Sequence, residues 1–525
     1  MSFYSEIVDE ILKKEIKSKE SIHKAKIRFC KKHGWENIPP DSKILANLPS
    51  DLSEEEVSFL KSVLRKKPMR TVSGVAVIAV MTSPEECPHG RCIPCPGGPE
   101  ICTPQSYTGH EPAAMRAEYN DFDPFLQTKN RLGQLKAIGH PVDKIDFIIM
   151  GGTFTARLFS YQSWFVKRCL DALNGEKSKS LSEAKKINEN ASNRCIGLTV
   201  ETRPDWFRLQ QIDQSLKLGA TRVELGVQTV DDSVLYNIQR GHTVKDSILA
   251  TRNSKNAGLK VCYHWMPGLP GVDLEKDLED FKTVFNNPEF KPDMLKIYPT
   301  LTVEGTELYK RWQKGEYKPL TTEKAIDLIA EIKTFVPEWV RIQRIQRDIP
   351  AQKIDAGVDK SNLRQLVRRK MSEEEKKCNC IRCREIGHQK QNFYVNEREL
   401  KMETVSYEAS GSQEIFIQLV DNKRRLYGFL RLRDIIDSHR FELQQKPCMV
   451  IRELKVLGRE LSIGKKHSDA VQHRGFGKKL IKEAEKICRE IYDKKYLFVL
   501  SGVGVKDYYR KRGFKDKGVY MVKKI

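Results

Sequence analysis

Six short apolar runs constrain this chain more than any other feature of its 525 residues; they fall at 74–80, 145–150, 195–200, 222–227, 259–264 and 294–298. Several are continuous, as strands buried on both faces should be. Most are separated by about 25 to 50 residues, room for a crossover helix each time, which gives a parallel α/β sheet or partial barrel. In such folds the chemistry collects where strands end. Here the ends carry Gly151-Gly152-Thr153, Glu201-Thr202-Arg203-Pro204, Gln228 and Met266-Pro267-Gly268.

The rest of the chain divides around that unit, which spans 71–340. Residues 1–70 read as a basic helical segment ending in Lys61, Arg65, Lys66, Lys67 and Arg70, which suits a solvated helix face or a nucleic-acid-binding cap. Residues 341–395 form a basic connector running through Arg341, Arg344, Arg347, Arg364, Arg368, Arg369 and Lys370. Residues 396–525 show strand candidates at 414–420, 426–433, 448–457 and 496–500, with a helix at about 475–491. That pattern predicts a separate α+β domain.

Lys plus Arg exceed Asp plus Glu by 92 to 70, a formal charge of +22. Such a surplus points to a polyanion, above all nucleic acid, with a solvated basic surface as the plain alternative. No apolar run approaches the ~20 residues of a membrane span. Glu6, Asp9 and Glu10 stand where a leader would be basic and then apolar, so the expectation is a cytoplasmic protein. Its 13 cysteines then read as reduced thiols or metal ligands.

Two cysteine groups stand out. Cys87-x4-Cys92-x2-Cys95 lies on a loop stiffened by proline and glycine after the first strand candidate. Three soft thiolates there suit a cubane 4Fe-4S cluster with one iron open to a substrate. The spacing alone suits a zinc equally, with His89 or Cys102 as fourth ligand; the position at a strand end favours the reactive centre. Cys378-x-Cys380-x2-Cys383, within the basic connector, suits a structural zinc with His388 or Asp348 as fourth ligand, or free thiols.

In the last domain, Gln472-x-x-Gly475-x-Gly477 sits between a strand and a helix, where glycines let backbone N–H groups close on a pyrophosphate. Tyr508-Tyr509 follows the next strand, and either hydroxyl could hydrogen-bond a thioester or leaving group.

The cysteine loop, Gly151-Gly152-Thr153 and the later strand ends resemble a radical S-adenosylmethionine (SAM) domain. The C-terminal order of strand, glycine loop, helix and tyrosines resembles a GNAT-type acetyltransferase. The x4 spacing and Pro94 depart from the usual C-x3-C-x2-C loop, with its aromatic before the last cysteine. They match a narrower family, the catalytic subunit of Elongator, a tRNA uridine acetyltransferase. Its signatures read here as Cys95-Pro96-Gly97-Gly98-Pro99, Gln105-Ser106-Tyr107-Thr108-Gly109 and Glu111-Pro112-Ala113-Ala114-Met115-Arg116.

The resemblance implies a partial TIM-like α/β barrel of about six parallel strands, followed by a GNAT-type α+β domain. It implies a 4Fe-4S cluster on Cys87, Cys92 and Cys95, and SAM at Gly151, Gly152, Thr153, Glu201, Gln228 and Met266. It places acetyl-CoA at Lys144, Glu453, Leu454, Lys455, Val456, Gln472, Gly475, Phe476, Gly477 and Lys478, with Tyr509 at the thioester end and Tyr508 beside it. The implied reaction uses a SAM-derived radical to take hydrogen from the acetyl methyl group. The carbon radical adds to C5 of the wobble uridine, and thioester hydrolysis leaves 5-carboxymethyluridine. The implied partner is the anticodon stem-loop of tRNA; the electron donor, further Elongator subunits and a homodimer stay open. A protein lysine acetyltransferase with a structural radical SAM domain competes, and it predicts acetylation without SAM. An inactive nucleic-acid-binding scaffold is the third reading.

Overall fold

The computed structural model describes residues 2–388, 397–444, 446–458 and 475–525. Its first sheet comprises β1 (Ala76–Met81), β2 (Lys144–Met150), β3 (Arg194–Thr202), β4 (Arg222–Gln228), β5 (Lys260–Trp265), β6 (Met294–Ile297) and β7 (Arg341–Ile345). The spatial order is the chain order, β1 to β7, and every pairing is parallel. Helices connect the strands and cover the outside, as sequential parallel pairing requires.

All six expected strands are present. The seventh, β7, lies at the start of the stretch read as connector, because Arg341, Gln343 and Arg344 interrupt its apolar pattern. The sheet therefore extends past residue 340.

The second sheet has the order β13-β14-β12-β11-β10-β9-β8. Its strands are β8 (Lys401–Ala409), β9 (Ser412–Val420), β10 (Leu426–Asp434), β11 (Cys448–Val456), β12 (Tyr496–Val499), β13 (Lys515–Lys517) and β14 (Tyr520–Lys524). All its pairings are antiparallel except β11 with β12. The N-terminal helices Phe3–Lys13, Lys19–Lys32, Asp41–Ala46 and Glu54–Leu64 enclose a small core of their own, built on Ile7, Ile11, Ile22 and Leu60. Ser53 and Glu56 form a capping box that starts the last of these helices.

The two sheets are packed together. Val450, Phe498 and Tyr520 of the second sheet join the core of the first, and the Tyr520 hydroxyl donates to the Ala257 carbonyl at 2.9 Å. A fully buried charged seam lies between them. Arg452 on β11 forks onto Asp293, just before β6, at 2.6 and 2.8 Å, and reaches Glu414 on β9 at 2.8 Å. Arg433 joins Glu414 at 3.0 Å and Asn256 at 3.0 Å. Buried charges persist only when paired in this way. Among the described residues, no helix is long and apolar enough to cross a membrane.

Candidate active site

The carboxyl ends of the first sheet surround a cavity of about 150 Å³. Cys87, Cys92 and Cys95 line it, together with Gly152, Thr153, Glu201, Gln228 and Met266. The loop and strand ends singled out in the sequence thus meet in one place. Gly151, at φ +128°, carries the chain past Thr82, whose hydroxyl a Cβ there would strike. Gln228 holds a left-handed conformation at the end of β4, φ +69°, a strain that belongs at a functional edge.

Each thiol has a polar neighbour. Cys87 Sγ lies 3.3 Å from the Thr153 hydroxyl, and Cys92 Sγ takes His89 Nε2 at 3.0 Å and Arg240 Nη1 at 3.5 Å. Burial raises the Cys87 and Cys95 thiols above their ordinary range. A bound metal's charge would offset that burial and favour the two thiolates.

A single zinc at Zn–S 2.3 Å holds its ligands ~3.8 Å apart. Among the described residues, the groups of potential ligands that close within 4.8 Å are Cys378/Cys380/Cys383 and Glu201/Glu224/His264; Cys87, Cys92 and Cys95 stand wider. The wide triad fits a multi-iron cluster. The narrow one fits a mononuclear zinc. Its proposed fourth ligands do not close on it, since His388 faces Glu385 at 3.5 Å and Asp348 pairs with Arg344. Lys333 instead approaches Cys383 Sγ at 3.8 Å.

The carboxylate group is not a metal site, because Lys296 already supplies the cation. Its ammonium lies 3.1 Å from Glu201 and contacts Glu224. Tyr107 donates to Glu201 at 2.9 Å, and His264 Nε2 stands 3.0 Å from Glu224. Arg222 then continues from Glu224 at 3.5 Å to Asp146 at 3.3 Å. The period of a strand explains the column: Arg222, Glu224, Gly226 and Gln228 alternate on β4, as Lys260, Cys262 and His264 do on β5. The barrel interior is thus charged from the cavity down to its base. The sequence reading missed Glu224, His264 and Lys296, although this alternation was there to be seen.

At the base, β11 faces the first sheet. Glu453 receives Arg431 Nε at 2.8 Å, and its charge acts on Arg222 and Lys260. Lys144 opens β2 two residues before Asp146 and so shares its side of the strand. β11 pairs with β12 from Cys448 to Ile451 and runs on to Val456, so Glu453, Leu454, Lys455 and Val456 have no β12 partner. Gly475, at φ +80°, precedes the helix Phe476–Lys486, with Phe476 and Gly477 buried and Lys478 exposed. A Cβ on Gly477 would strike the Tyr508 hydroxyl, so Tyr508 faces the helix start. Tyr509 is buried in the second sheet's core against Phe514, and meets Tyr508 edge-on with centroids 5.2 Å apart. Gln472 lies outside the described residues.

The basic segments differ in how they are engaged. Lys61, Lys66, Lys67 and Arg70 are exposed. In the connector, Arg341 pairs with Glu385, Arg344 with Asp348, Arg369 with Glu373 and Lys370 with Asp327.

Comparison with known proteins agrees with this geometry. Residues 84–284 match the radical SAM superfamily, 292–373 the radical SAM C-terminal domain and 1–72 the ELP3 N-terminal domain. The chain is 51% identical to the tRNA uridine(34) acetyltransferase of Methanocaldococcus jannaschii, covering 98% of this chain and 96% of that one. It is 40% identical to human Elongator complex protein 3, covering 99% and 96%. The structure of the archaeal Methanocaldococcus infernus Elp3 with its N-terminus (1–46) deleted superposes with a TM-score of 0.77 at 48% identity, covering 87% of this chain and all of that one.

Proposed function

The chain belongs to the Elongator protein 3 and tRNA uridine(34) acetyltransferase family, and on that premise we propose how its residues divide the work. The protein is an acyltransferase with a radical SAM domain, acting on uridine 34 of tRNA. The observation that carries this is the convergence of the cysteine loop with the strand-end motifs on one cavity, in a chain about half identical throughout to named enzymes.

Cys87, Cys92 and Cys95 would hold the 4Fe-4S cluster, with Arg240 and His89 offsetting charge at Cys92. With SAM bound, that centre supplies a 5′-deoxyadenosyl radical. Gly151, Gly152, Thr153, Glu201, Gln228 and Met266 would hold SAM; Tyr107 and Lys296 keep Glu201 fixed in place for that task.

Acetyl-CoA would lie along the edge of β11 that β12 leaves open, its pantetheine arm taking the place of a strand at Glu453 to Val456. Its pyrophosphate would meet the helix start at Gly475, Phe476, Gly477 and Lys478, together with Gln472, three residues earlier in the sequence. Tyr509 would stand at the thioester end with Tyr508 beside it, and Lys144 at the barrel base. The charged interior then joins the acetyl end to the radical end. Cys378, Cys380 and Cys383 would hold a zinc that ties the connector between the two sheets. The product would be the 5-carboxymethyl group on uridine, and the exposed Lys61 to Arg70 stretch would grip the RNA backbone. These assignments describe a cytoplasmic enzyme engaging the anticodon stem-loop.

The test uses anaerobically reconstituted protein, SAM, reductant, tRNA and acetyl-CoA deuterated in its methyl group. Deuterium in the recovered 5′-deoxyadenosine supports the reading. Acetylated lysine residues formed without SAM would move the assignment to a protein acetyltransferase.

A further inference from the structure

We propose that His264 reads the imide edge of the target base and thereby selects uracil over cytosine. The inference rests on the uridine reading above and adds a specificity residue to it. His264 ends the inward face of β5 and lines the cavity. Among the described residues its one hydrogen bond joins Nε2 to Glu224 Oε2 at 3.0 Å. Tyr298 meets the ring edge-on, centroids 5.4 Å apart, which fixes its plane.

Glu224 sets the tautomer. It is completely buried, and although burial alone would raise its carboxyl, Lys296, the hydrogen bond from His264 and Arg222 together outweigh that and hold it well below the usual carboxylate range. An ionised carboxylate only accepts, so in the neutral ring the proton stands on Nε2 and Nδ1 keeps its lone pair. Nδ1 has no protein partner among the described residues. In the neutral ring it is therefore an acceptor on a cavity wall, held by a charge network that costs several buried ions to maintain.

Uracil presents an N3–H donor between two carbonyl oxygens. Cytosine presents a lone pair at N3. An acceptor facing N3 hydrogen-bonds the first and opposes the second, and a site built for one hydrogen bond rejects the base that leaves it unmade. Arg347 and Tyr298 line the same cavity and offer N–H and O–H groups for the flanking carbonyls. Lys296 cannot do this reading itself, because both its carboxylate partners hold it at the cavity floor.

The experiment measures anisotropy of labelled anticodon stem-loops on the cofactor-free full-length protein at pH 8. The loops carry uridine, cytidine or N3-methyluridine at position 34. Wild type should prefer uridine over both others by roughly 10- to 100-fold, the range of one good base-edge contact. His264→Phe keeps the ring and removes the acceptor, so it should bind all three alike. Glu224→Gln can donate its amide N–H to Nε2, which moves the ring proton to Nδ1 and should shift the preference toward cytidine. Should that variant fail to fold by circular dichroism, His264→Phe decides alone. Equal binding of the three loops by wild type, or an undiminished uridine preference in His264→Phe, overturns the inference while leaving the tRNA reading intact. Stem-loops that bind no better than an unrelated hairpin overturn both.

Discussion

Replacing Lys296 by methionine removes the cation that bridges two buried carboxylates, Glu201 and Glu224. At 3.1 Å and an effective dielectric of about 20, its attraction for Glu201 is about 5 kcal/mol, and the contact with Glu224 is of the same order. Desolvation of the lysine offsets much of this, so the loss should be about 3–5 kcal/mol, the usual result of breaking a buried pair from one side. The protein has one escape, which is to keep a proton on one glutamate. A carboxyl raised in the folded state binds a proton that the unfolded chain releases, so its contribution is present below the unfolded value of about 4.3 and is lost as pH rises. Lys296→Met should therefore lose the most at pH 8 and distinctly less at pH 5. Urea midpoints at the two pH values, with the slope checked for constancy, measure this. Adding Glu224→Gln should restore at least half of the loss, since one surplus charge disappears with the first. A loss under about 1 kcal/mol at both pH values would refute the charge-locked floor of the cavity.

Four further outcomes follow from other parts of the molecule. Arg452→Met takes from Asp293 its bidentate partner and from Glu414 one of its two arginines in the seam between the sheets, and should cost about 3–5 kcal/mol in urea unfolding, followed by circular dichroism. Asp277, whose carboxyl burial pushes up to about 7 despite the Gly268 N–H it accepts, subtracts stability as pH climbs from about 4 to 7; Asp277→Asn should flatten that slope in melts at pH 5 and 8. Gly477→Ala drives a methyl group into the Tyr508 hydroxyl and should cost about 1–3 kcal/mol, with weaker acetyl-CoA binding by calorimetry. Cys378→Ala should lower zinc content by metal analysis while leaving iron loading at Cys87, Cys92 and Cys95 unchanged.

What could be read from the sequence was whatever is local. Cys87, Cys92 and Cys95 announce a metal loop because their ligand spacing is short and set by covalent geometry. The strands β1 to β6 announce themselves because most of their residues are apolar. β7 escapes because Arg341 and Arg344 find partners in Glu385 and Asp348, residues that sequence proximity does not reveal as shields. β8 and β13 are edge strands with much of their length exposed, so they carry little apolar signal. Glu224, His264 and Lys296 went unread for a different reason. The run at 222–227 looks apolar on average, and only its alternation shows that one face is charged. Arg431, Arg433 and Arg452 look like surface charges until tertiary structure brings Asp293 and Glu414 to them. The same limit made His388 and Asp348 plausible zinc ligands: both lie within the connector that holds the triad, and each spends its side chain elsewhere.

The central claim is that both halves of this chain act on one uridine. Its most direct measurement is nucleoside mass spectrometry of unmodified tRNA incubated anaerobically with reconstituted protein, SAM, reductant and acetyl-CoA. The account predicts a carboxymethyl group on uridine 34, absent without SAM, absent without acetyl-CoA and absent in Cys92→Ala. A uridine adduct that persists in Cys92→Ala would contradict it.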